Sequence, residues 1–201
     1  MATTAAPYGL RPVKRMDGTP YAGATTQYLI DPAGEATNLF YGQVVILGAD
    51  GYVALATASG ADATTNNFGG SGVGALGVFV GCEYENASGT QYSQHYPSAQ
   101  NYNSTPIKAY VIDDPFVLFQ AQLDGAGAQT VIGNNTTFAS VQSTSTGSTS
   151  TGNSTSALDA TVNVAYAFRI IAHVSPPSDA YPDVLVAFGS GFHRGTDATG
   201  L

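Results

Sequence analysis

The chain has 201 residues, 43% of them hydrophobic, which supplies a core for one large domain or two small ones and excludes a disordered protein. Charged residues make up only 10%, against roughly 25% in ordinary soluble domains, and Gly, Ser, Thr, Asn and Tyr take their place. Fourteen acidic against six basic side chains leave a formal charge of −8, which argues against a phosphate backbone as partner.

A mostly uncharged polar surface has little repulsion to keep copies apart, so it suits a protein that lives docked in an assembly. The chain opens with MATTAAPYGLRPVKR, which has no apolar run of the signal-peptide kind. No segment reaches the roughly 20 apolar residues of a membrane span, so no membrane partner is expected. Three of the six cations, Arg11, Lys14 and Arg15, fall in this first stretch, and the next is Lys108. Residues 1–20 therefore read as a basic N-terminal arm ahead of an acidic body, residues 21–201. The candidate partner-binding residues are Pro7, Tyr8, Leu10, Arg11, Lys14 and Arg15. Proline stiffens such an arm, Tyr8 and Leu10 anchor it, and the cations face an acidic partner. The competing reading is a solvated tail.

Past the arm, helical periodicity is absent and short β-branched or aromatic runs recur between Gly, Asp, Asn and Pro. QVVILGADGYVALATA predicts a hairpin whose Asp50-Gly51 pair supplies the turn. Residues 59–75 read as a surface connection with little to bury. Residues 75–85 read as a strand, and residues 90–98 pair back on it through a turn at Asn86-Ala87-Ser88-Gly89. Tyr92, Tyr96 and Tyr102 suit half-buried or interface positions.

IKAYVIDD and PFVLFQAQLDG follow as two strands. Residues 143–156, STSTGSTSTGNSTS, contain no apolar side chain and predict a flexible loop, or an arm held by a neighbour. In ATVNVAYAFRIIAHV the apolar residues Val162, Val164, Tyr166, Phe168 and Ile170 alternate, predicting one long strand with a buried face. A turn at residues 175–178 and the strand DVLVAFGSGFHR end the pass. Nine or ten strands are enough for a barrel or a sandwich.

Chemistry is hard to place on this pattern. Adjacent Asp113 and Asp114 project to opposite faces of an extended chain, so they fit a turn with Pro115 better than a paired acid and base. His95, His173 and His193 lie far apart without companions at ligand spacing, so no metal is expected. Cys82, the only cysteine, has no cationic neighbour to activate it and reads as a buried strand residue. FGGSGVGALG lacks the lysine and the strand–helix context of a phosphate loop. No catalytic residue and no cofactor are expected.

The run APYGLRPVKRMDGTPYAGAT, the strand GVFVGCEYE, the block VIDDPFVLFQAQLDG and the Thr/Ser/Gly stretch ending in ALDATV resemble, in that order, virion structural proteins of tailed bacteriophages. The chain looks like a capsid decoration, or cement, protein, and YGQVVILGADGYVAL followed by GVFVG is similar to the barrel core of smaller cement proteins. The resemblance implies a non-enzymatic virion protein made in the host cytoplasm and seated on the outer capsid surface. It implies the major capsid protein as partner, and self-association as a homotrimer.

The resulting expectation is an all-β fold, a β-barrel or β-sandwich with long Gly/Ser/Thr-rich loops and an extended N-terminal arm. The rival functional reading is a receptor- or glycan-binding virion protein, a head fibre or tail module, using the tyrosines and Asn/Thr loops. A hydrolase of host surface polymer is the third, with Asp113 and Asp114 as first suspects.

Overall fold

The computed structural model describes residues 4–32, 37–58, 68, 74–98, 100, 105–143 and 145–189. Its regular elements are strands, with a single 3-10 turn at Gln129–Val131 among the described residues. In chain order they are β1 (Arg11–Arg15), β2 (Thr26–Ile30), β3 (Val44–Leu47), β4 (Val53–Leu55), β5 (Gly77–Asn86) and β6 (Gly89–Ser93). β7 (Ile107–Ile112), β8 (Val117–Gln122), β9 (Asn135–Thr136), β10 (Phe168–His173) and β11 (Asp183–Phe188) follow.

The strands form two antiparallel sheets. Sheet A runs β1-β8-β11-β10-β9, and sheet B runs β2-β7-β5-β3-β4 with β6 on the second half of β5. The alternation of β8, β10 and β11 turns Val117, Phe119, Ala121, Phe168, Ile170, Val184, Val186 and Phe188 onto one face of sheet A. That face packs on Val44, Ile46, Val78 and Ile112 of sheet B, with a tilted Phe168–Phe188 pair at 5.0 Å between centroids. Sheet B is buried on its other face as well, where Val45, Phe79, Cys82, Ala109 and Val111 gather with Leu39 and Tyr96. Burial on both faces explains why β3, β5 and β7 read as near-continuous apolar runs.

The architecture is a β-sandwich. The barrel alternative fails because β4 comes near β2 without pairing to it, so sheet B is curled but open. Both predicted hairpins form. Gly51, at φ 81°, turns β3 into β4, and Gly89, at φ 101°, turns β5 into β6. The Asp113-Asp114-Pro115 corner is not a hairpin turn, because β7 lies in sheet B and β8 in sheet A. It carries the chain across the sandwich.

Three expectations change. The long strand predicted from Ala160 begins only at Phe168, and Val164 is 87% exposed. Asp159 and Asn163 take the backbone N–H groups of Thr161 and Ala165 with their own side chains, and such local bonds compete with a ladder. Within the 59–75 connection, Phe68 is fully buried and sits edge-on to Phe168 at 5.5 Å, so this side chain belongs to the core. The other residues of that stretch up to 73, like Tyr102, His193 and the end of the last predicted strand, lie outside the described residues.

The 143–156 segment, residue 144 aside, packs on the body. Thr155 N–H donates to the Thr146 carbonyl at 2.9 Å and Ser148 N–H to the Asn153 carbonyl at 2.9 Å, closing a small hairpin. Gly152, Ser154 and Ser156 are buried in it, and Tyr41 bridges to Asn153. Composition suggested nothing to bury, but hydroxyls can be buried once each is hydrogen-bonded. The buried Gln43 side chain holds the segment from below, donating to the Thr146 hydroxyl at 3.0 Å and accepting from Phe40 N–H at 2.8 Å.

Candidate functional site

The N-terminal residues are extended, and they lie along their own sheet. Arg11 pairs with Gln120 and Arg15 with Val117, so β1 is an edge strand of sheet A. Gly9 makes the entry possible: at φ 73° its position would put a Cβ 2.6 Å from the Gly42 carbonyl oxygen. Leu10 then drops into the core and its N–H donates to that carbonyl at 2.9 Å. Pro7 is half-buried. The Tyr8 hydroxyl donates to Asp183 at 3.0 Å, and burial together with that carboxylate pushes its pKa up.

Of the six candidate residues, then, Leu10 and Tyr8 hold the fold. Arg15 is also engaged, in an ion pair with Asp114 at 2.6 Å. Arg11 and Lys14 have no carboxylate within ion-pair distance among the described residues. The backbone irregularity between Pro12 and Lys14 leaves Val13 out of register, 42% exposed. Met16 and Phe116, whose backbones are joined by a 2.7 Å hydrogen bond, are 43% and 50% exposed beside it.

The two carboxylates of the corner diverge. Asp113 accepts from the Thr26 hydroxyl at 3.0 Å and the Tyr28 hydroxyl at 2.7 Å, both on β2 of sheet B. Asp114 accepts from Arg15 of sheet A and, at 2.9 Å, from Phe116 N–H. One acid staples each sheet edge to the crossing, and their separation suits backbone and strand positioning rather than a shared reacting bond.

A groove of about 800 Å³ opens where the sandwich interface ends. Its floor follows from a bulge in β5. Phe79 faces Val111 and Cys82 faces Ala109 in the same core, so the extra residue Val80 resets the alternation and leaves Gly81 opposite Tyr110 on the face of sheet B that carries Ile112. A Cβ at Gly81 would sit 3.0 Å from the Ser93 carbonyl, so glycine keeps the floor low. Tyr110 and Tyr92 rise from β7 and the end of β6, and Arg11, Tyr41, Gln94 and Asn153 face them.

Glu83 holds Tyr110 from behind, beside Tyr92 on the next strand. Its carboxylate accepts from Lys108 at 2.9 Å and from the Tyr110 hydroxyl at 3.1 Å, and Tyr92 is its cross-strand neighbour. The Lys108 bond, followed by the tyrosines, lowers the Glu83 pKa. Arg11 rests on the Tyr8 ring at 4.4 Å, and Gln94 donates to Asn153 at 2.6 Å. Tyr92 is 74% exposed, whereas Tyr96 is a core residue. The sequence flagged Tyr92 but held no hint of Tyr41 or Tyr110, because the bulge that aims this face has no composition signature.

Below the floor, Cys82 is buried and its thiol donates to the His95 carbonyl at 3.4 Å. Burial pushes the thiol up to about 12. The expected result at pH 8 is a folded protein inert to an aromatic disulfide reagent and a urea-unfolded one labelled once per chain, since three pKa units remove about a thousandfold of thiolate. Rapid labelling of the folded chain would contradict this burial. His95 stacks on Phe40 at 5.8 Å, and no group of three potential metal-ligating side chains occurs among the described residues. No protein-family model, curated protein or solved structure matches the chain.

Proposed function

We propose that the chain is a non-enzymatic decoration protein of a tailed-bacteriophage head, a homotrimer bound on the outside of the major capsid protein lattice. The observation that carries the reading is the outer side of β1 and its continuation, where Val13, Met16 and Phe116 offer exposed apolar surface beside Lys14. Apolar contacts rimmed by a cation suit docking on an acidic shell. The order of blocks, which resembles that of virion proteins, the two-sheet body and the low charge of 10% support the same reading. A shell under internal pressure gains from many modest clamps at its subunit boundaries, whose energies add through multivalency.

The test is copy number on purified virions by quantitative gel and mass measurement, followed by rebinding of purified chain to stripped heads. Hundreds of copies per head are expected, on the scale of a decorated lattice. The double variant Met16→Asp, Phe116→Asp should lose at least tenfold in occupancy while keeping the native circular dichroism and melting temperature, because both side chains are already half in solvent. A chain missing from virions, or a double variant that rebinds at full occupancy, overturns the reading.

A further inference from the structure

We propose that the groove above Gly81 binds an acidic oligosaccharide, holding a carboxylate on Arg11 and sugar rings against Tyr92 and Tyr110. This goes beyond head decoration and does not depend on it, because the groove is built by residues other than Val13, Met16 and Phe116.

Charge comes first. Among the described residues, Arg11 is the only one lining the groove that is charged at neutral pH, a single positive charge in a chain of formal charge −8. Among the described residues no carboxylate lies within ion-pair distance of it. Its guanidinium carbon lies 4.4 Å from the Tyr8 ring centroid, and a guanidinium meets a carboxylate in a two-point contact through its N–H edge.

The walls select the rest of the ligand. The Tyr110 ring, held from behind by Glu83, and the exposed Tyr92 ring offer flat amphipathic faces, and the tied Gln94 and Asn153 amides keep donors and acceptors for hydroxyl groups. A volume of about 800 Å³ falls within the usual range of ligand sites. A peptide would need an apolar side-chain pocket for its anchors. Among the described residues Val80 is the only aliphatic one lining the groove. A nucleic acid would need several cations along a track, and among the described residues the groove has one.

The experiment titrates the full chain with trigalacturonate, with the neutral galactose trimer, and with a sulfated disaccharide, by calorimetry and amide chemical shifts at low salt. Trigalacturonate should bind at least tenfold more tightly than the neutral trimer. Arg11→Gln and Tyr92→Ala should each weaken it at least tenfold, whereas Arg169→Gln, which removes an exposed cation on β10, should leave it unchanged. Equal binding of the neutral trimer, undiminished binding by Arg11→Gln, or a preference for the sulfated sugar overturns the proposal. Absence of binding to all three overturns it too.

Discussion

Deletion of residues 1–15 should abolish the cooperative unfolding of the domain, and Leu10→Ala alone should lower its unfolding free energy by about 2–5 kcal/mol, the usual cost of emptying a buried leucine site. Leu10 is fully buried among the side chains that join the two sheets. Deletion also strips β8 of a strand partner and leaves Asp183 without the Tyr8 hydroxyl and Gln122 without the Ala6 N–H that donates to it at 2.7 Å. Set against a total stability of about 5–15 kcal/mol for a typical domain, the combined loss is of the same size. Urea unfolding followed by circular dichroism reads the effect, with Lys14→Ser as a control expected to stay within about 0.5 kcal/mol. A truncated chain with an unchanged midpoint would mean that the segment is a free arm after all.

Gln142→Leu should destabilise the fold by about 1–3 kcal/mol, although leucine is nearly the same size and more apolar. The buried Gln142 amide accepts from Val44 N–H at 3.0 Å and donates to the Val44 carbonyl at 3.0 Å, as a neighbouring strand would. The carbonyl keeps Ala56 N–H at 3.2 Å after the substitution, whereas Val44 N–H is left buried without an acceptor. That orphaned donor carries the cost. Denaturant midpoints give the magnitude, and faster hydrogen exchange at the Val44 amide localises it. A Gln142→Leu variant as stable as the parent would show that these side-chain bonds contribute nothing.

Periodicity and turn chemistry made the all-β class legible, because Asp50-Gly51 and Ser88-Gly89 sit at the hairpins and the paired strands alternate as half-buried strands do. What could not be read depends on tertiary choices. Whether Asp113-Asp114-Pro115 turns a hairpin or crosses between sheets is decided by which partner β8 finds, and that partner is more than a hundred residues away in β1. The hydroxyl-rich segment looked unable to bury anything because composition counts apolar atoms, while Ser154 and Ser156 are buried by hydrogen bonds to each other and to backbone. Ala160 to Ala167 showed the pattern of a strand, and the Asx turns of Asp159 and Asn163 overrode it. For the site, the N-terminal cations were visible in sequence. The division of this segment into a core anchor, an ion pair and a groove cation followed only from the register of β1.

That register also sets an order of events during synthesis. β8 lies between β1 and β11, so the first strand of the chain and the last described one meet on the same partner. While the ribosome is still short of Val184, β8 can be hydrogen-bonded on one side only, and the aromatic layer of Phe168 and Phe188 is incomplete. Closing a loop of this length before its contacts are rewarded is slow, and the half-built sheet exposes an apolar face meanwhile. The exposed side of β1 thus reaches its final form only after Asp183–Phe188 has been made and has paired with β8.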